Sequence, residues 1–169
     1  MVVISVALAA LAVVALGPSP ALLAAFAVAA VAPALVRTDV AEHRLPNRLV
    51  LAALLGGVAG WALTGFARGS LSLVPPLAAA GYAGFLFVLA LFGGMGMGDV
   101  KLAAALGLAA PTTSIAVLSP VLAFLLGGVA SLVVLIRRGR GIRIAFGPFL
   151  LAGYFVALAL TVAVTRIGR

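Results

Sequence analysis

The 169-residue sequence predicts an all-α protein, a polytopic membrane helix bundle of about seven hydrophobic helices, one of them short. Three observations lead there. The chain is 66% hydrophobic and only 8% charged, whereas soluble domains average about a quarter charged residues. Its mean hydropathy is +1.38, more apolar surface than a soluble fold could hide. Its apolar runs are also cut by Gly, Pro or charge at intervals that suit membrane crossings.

Residues 1–36 carry no charge at all. As one helix they would run ~54 Å, against a hydrocarbon core of ~30 Å. Gly17-Pro18-Ser19-Pro20 breaks the run, so the sequence predicts helices over Val2–Leu16 and Ala21–Val36. The first lacks the basic segment of a secretory leader and is read as a retained helix. Leu49–Ala67 and Leu73–Phe92 follow, the latter with Pro75-Pro76 in its first turn. A glycine-rich loop, Gly93-Gly94-Met95-Gly96-Met97-Gly98, then leads into a short helix predicted over Asp99–Ala110. Thr113–Ile136 and Ala145–Thr165 complete the set. No linker, repeat or low-complexity tract divides the chain, which reads as one domain over 1–169.

The net charge is +8, and its placement speaks for topology rather than nucleic acid. Arg37, Arg44, Arg48, Lys101, Arg137, Arg138, Arg140 and Arg143 fall in connections on one side of a seven-helix bundle. Only Arg68, Arg166 and Arg169 fall opposite. The positive-inside rule makes the basic side cytoplasmic, with the N-terminus in and the C-terminus out, across a cell membrane. Zero cysteines exclude disulfides and thiol chemistry. His43 is the single histidine, so no His-based metal cluster or triad can form within the chain. It reads as a solvated loop residue, and neither metal nor cofactor is expected.

Only three acidic residues exist, Asp39, Glu42 and Asp99. Ionisable groups at membrane depth are costly and tend to pair or perform chemistry. Topology places Asp39 and Asp99 at cytoplasmic helix ends, at one depth, as a carboxylate dyad needs. The helix after Asp99 spans only ~18 Å, too short to cross, so it should begin below the surface and carry Asp99 inward. A simpler reading makes Asp99 a helix N-cap and Asp39 an exposed loop partner of Arg37. Glu42 could attract a basic leader, although an ordinary interfacial carboxylate explains it as well. Lys101 lies ~200° around the helix from Asp99 and is assigned to snorkelling, with a supporting role open. Pro46 and Asn47 shape the loop and start the next helix, and Gly96 and Gly98 serve the backbone path.

These residues resemble a known family. Asp39 stands seven positions before Pro46, with Leu45 and Asn47 flanking that proline. Gly96-Met97-Gly98-Asp99-Val100-Lys101-Leu102 follows, and Ala145-Phe146-Gly147-Pro148-Phe149 comes last. The three segments, in this order, are similar to the motifs of the type IV prepilin leader peptidases, the Gly-Xaa-Gly-Asp aspartyl peptidases. The likeness covers roughly 21–165 and leaves 1–20 as an extra helix and turn. It implies that Asp39 and Asp99 are catalytic. It also implies that the enzyme removes the basic leader of pilin-like precursors at the cytoplasmic face, alongside pilus or type II secretion machinery. Without the cysteine-bearing N-terminal segment of longer members, the chain looks like the short, peptidase-only form, and methyltransferase activity is not expected. Two rival readings use the same residues: a small transporter with an aspartate proton relay, and an inactive subunit of a pilus assembly.

Overall fold

The computed structural model describes residues 1–139 and 144–167. Seven helices follow one another: α1 (Val2–Leu16), α2 (Leu22–Glu42), α3 (Asn47–Arg68), α4 (Val74–Leu91), α5 (Met97–Leu108), α6 (Thr113–Arg138) and α7 (Gly147–Ile167). Five of them, all but α1 and α5, are long and apolar enough to cross a membrane. Large apolar side chains such as Leu55, Phe66, Leu125 and Val129 face outward, as a lipid solvent allows. The chain is a multi-pass helical membrane bundle.

The short helix sits at the centre. α5 packs against α4, α3, α7 and α2, and Leu102, Ala103, Ala105 and Leu106 on it are buried. Without a hydrophobic drive between helices in lipid, close backbone approach through small residues does the packing. Gly107 of α5 lies directly on the backbone of Ala79 in α4. Gly60 of α3 lies on Ala24 of α2, and Gly153 of α7 on Ala123 of α6. Tyr154, fully buried on α7, donates its hydroxyl to the Ala109 carbonyl at 2.9 Å and ties α7 to the end of α5.

Helix ends depart from expectation in ways that matter for the site. α2 does not stop at Val36 but continues to Glu42. Charge at Arg37 marks the exit from the apolar layer, not the end of the helix, and Thr38 keeps its Oγ1 on the Ala34 carbonyl at 3.0 Å. The helix ends where His43 turns left-handed, at φ 52°, and Pro46 forces Leu45 toward extended backbone. Asp39 therefore belongs to a helical turn and not to a loop. α5 starts two residues early, at Met97, with Gly96 as its N-cap, so Asp99 is the third helical residue rather than the cap. Of the basic residues used for topology, Arg140, Arg143 and Arg169 lie outside the described residues.

Packing this tight fixes one expectation. Gly107→Val puts side-chain atoms into the Ala79 backbone and should cost about 1–3 kcal/mol, read as a lower thermal midpoint in detergent. Gly84→Ala, where a Cβ meets nothing within 4 Å, should hold or raise the midpoint.

Candidate active site

Asp39 and Asp99 come from different helices and line the same cavity, of about 720 Å³, at the end of the bundle where α2 ends and α5 begins. The glycine loop 93–96, Ser131 and Leu135 of α6, and Phe146 form much of the remaining wall. Phe146 is held in place by Phe124, at a ring separation of 5.2 Å, and by the room left at Gly127. A much smaller cavity, of about 30 Å³ near Trp61 and Arg68, contains no carboxylate.

The two aspartates are held differently. Asp39 is 5% exposed, and its Oδ2 accepts the backbone N–H of Gly147 at 2.8 Å. That bond joins the last turn of α2 to the first residue of α7. Position 147 has no room for a side chain, since a Cβ would lie 2.7 Å from Asp39 Oδ2. Asp99 sits outside the five long helices, on the first turn of α5. Its Oδ2 accepts the N–H of Gly96 at 3.3 Å, while Oδ1 is buried with no hydrogen-bond partner among the described residues. Burial first, and then the nearby Asp39 carboxylate, push the Asp99 carboxyl up to about 6, against the opposing pull of the Gly96 N–H. Two carboxylates within electrostatic reach of one another titrate as a pair.

The other sequence-predicted residues surround this pair. Pro46 is the N-cap of α3. Asn47, the first residue of that helix, accepts a hydrogen bond from Lys101 Nζ at 3.0 Å. Lys101 thus points away from Asp99, as its helical angle requires, but it links α5 to α3 instead of only reaching for the interface. Gly98 packs against Leu45. Glu42 ends α2 exposed and lies outside the cavity lining.

Three further residues join the site. His43 lines the cavity and interacts electrostatically with Asp39. Gly147 supplies the N–H that Asp39 needs. Tyr82 of α4, its hydroxyl buried and without a hydrogen-bond partner among the described residues, lies within electrostatic reach of Asp99. The Ala-Phe-Gly-Pro segment was the one sequence signal for Gly147. Among the described residues, no three His, Cys, Asp or Glu side chains gather as a metal-binding group.

A helical membrane bundle with two carboxylates in one cavity fits a class of membrane-embedded hydrolases. The chain belongs to the type IV leader peptidase family, whose sequence model matches residues 21–136. It is therefore a peptidase of that general kind. The match takes in both aspartates and stops before Gly147. No curated protein and no solved structure matches the chain.

The raised Asp99 carboxyl has a consequence for stability. The folded state holds a proton there up to about pH 6, whereas the unfolded chain releases it near 3.8. Stability should therefore fall as pH rises from about 4 to 6 and stay reduced above. Asp99→Asn should raise the thermal midpoint at pH 7, by at most ~3 kcal/mol equivalent, and lose that advantage at pH 4. Differential scanning fluorimetry across this range checks it.

Proposed function

We propose that this chain is an aspartic endopeptidase of the cell membrane that removes the short basic leader of pilin-like precursors at the cytoplasmic face. Asp39 and Asp99 are its working pair. The observation that carries the reading is their meeting in one cavity, from helices far apart in sequence, in a chain with one other carboxylate. The processed product would pass to pilus or type II secretion machinery.

The chemistry follows from two carboxyl groups that share a proton. One carboxylate removes a proton from water as the water oxygen attacks the scissile carbonyl carbon. The other, protonated, donates a hydrogen bond to the carbonyl oxygen and stabilises the charge that develops there. Collapse of the tetrahedral species breaks the C–N bond, and a proton passes to the leaving amine. Burial and the neighbouring Asp39 push the Asp99 carboxyl up to about 6, which favours a proton shared by the pair. The Gly147 N–H holds the Asp39 carboxylate still. Gly93, Gly94 and Gly96 bring no side chain into the wall that they share with Met95, so that an extended peptide can approach the Asp99 carboxyl.

Two experiments bear on this. In proteoliposomes with a pilin-like precursor, wild type should release the leader, while Asp39→Asn and Asp99→Asn should each lose at least ~10³-fold in rate. Cleavage at the wild-type rate by either variant contradicts the mechanism. For sidedness, the absence of native cysteine allows single-cysteine labelling. Arg68→Cys should react with an impermeant maleimide in intact cells, and Arg44→Cys only after lysis. The reverse pattern would turn the cavity to the outside.

A further inference from the structure

Leu45 touches the neighbours of both aspartates. A Cβ placed on Gly98 would lie 3.0 Å from Leu45 Cβ and 3.4 Å from its Cδ1. One placed on Gly147 would lie 3.2 Å from Leu45 Cδ2. One methyl of this leucine thus bears on the residue before Asp99, and the other bears on the residue whose N–H holds Asp39. A Cβ at either glycine would press on the leucine more closely than side chains ordinarily pack.

The leucine is itself firmly placed. Upstream, the His43 N–H closes α2 on the Asp39 carbonyl at 2.9 Å. Downstream, the Pro46 carbonyl accepts from Leu49 N at 3.0 Å and Val50 N at 3.2 Å. Asn47 is tied to α5 through Lys101. Leu45 packs against the buried core between these anchors. The short loop has little freedom to move the side chain away.

We propose that Leu45 is a positioning residue, a wedge between Gly98 and Gly147 that sets the separation of the Asp39 and Asp99 carboxylates. The proposal rests on the reading of those two aspartates as the peptidase dyad. A pair that shares a proton and aligns one water depends on its spacing, and a shift of ~1 Å can cost ~10²-fold in rate. The wedge fixes that spacing by contact and leaves the cavity side of both carboxyl groups open to substrate. Among the described residues, the titratable groups that act on the pair are His43 beside Asp39 and Tyr82 on α4; Lys101 on α5 is turned to Asn47.

The test compares wild type, Leu45→Ala, Leu45→Val and Leu45→Met in proteoliposomes, against a synthetic precursor with a basic leader, a glycine and an apolar helix. Leu45→Ala should lower kcat by roughly 10- to 100-fold with KM little changed, and should draw the two limbs of the pH–rate profile together. Leu45→Met, which refills the wedge, should restore both. A substrate-independent readout is the carboxyl ¹³C titration of aspartate-labelled protein, in which Leu45→Ala should narrow the gap between the two steps. If Leu45→Ala fails to fold, Leu45→Val carries the same comparison with less lost volume. Wild-type kcat and unchanged titration steps in the folded variants would overturn the wedge. So would a loss confined to KM. Asp39→Asn and Asp99→Asn are run alongside. If either cleaves normally, it is the dyad reading that fails; if both are inactive while the Leu45 variants behave as wild type, only the wedge fails.

Discussion

A carboxylate enclosed by apolar helices is costly unless donors meet its oxygens. For Asp39 the donor is the backbone N–H of Gly147, at 2.8 Å. That one bond needs α2 to carry its helix past the apolar layer as far as Glu42, and α7 to begin beside it. It also needs a glycine at 147, since a Cβ would collide with the carboxylate. The buried Tyr154 hydroxyl fixes α7 to α5 further along, so the element that supports Asp39 is registered to the helix that bears Asp99. The cavity between the two aspartates follows from this bracing of α2, α5 and α7.

Within that frame the aspartates are unequal. Asp39 is nearly closed off and pinned by a neighbouring element. Among the described residues, Asp99 holds a longer bond to its own helix start and has no partner for its other oxygen. A carboxylate pinned by a neighbouring element opposite one bonded to its own helix start is an arrangement in which the second can turn toward water or substrate while the first stays in place. The burial that raises the Asp99 carboxyl costs stability at neutral pH, as is common where a fold keeps a reactive group poised.

The bundle was legible because Gly, Pro and charge interrupt the apolar runs at nearly every turn, and all seven helices appear where those interruptions place them. The ends were less legible. α2 outran its expected end by six residues, because arginine and threonine mark the membrane surface without breaking a helix. The shift of α5 turned Asp99 from cap to third residue, since glycine, which has no side chain to signal a cap, took the capping position. The two aspartates stood out by scarcity and by the motifs around them. Their supports did not. A backbone N–H such as that of Gly147 leaves no mark in side-chain chemistry, and the Lys101–Asn47 bond joins residues 54 apart, a contact no local helical pattern can show. His43, read as a solvated loop residue, faces the cavity because its left-handed turn bends the chain back beside Asp39.

The proposed coupling of Asp39 to Asp99 has a direct probe in the sequence. The chain contains only these two aspartates, so carboxyl ¹³C labelling of aspartate yields two signals in the whole protein. Followed against pH in lipid nanodiscs, both signals should move in each of two steps, and Asp39→Asn should lower the titration midpoint of Asp99 from its value of about 6. Two independent single-step curves, with Asp99 unmoved by the loss of Asp39, would show that the carboxylates do not meet.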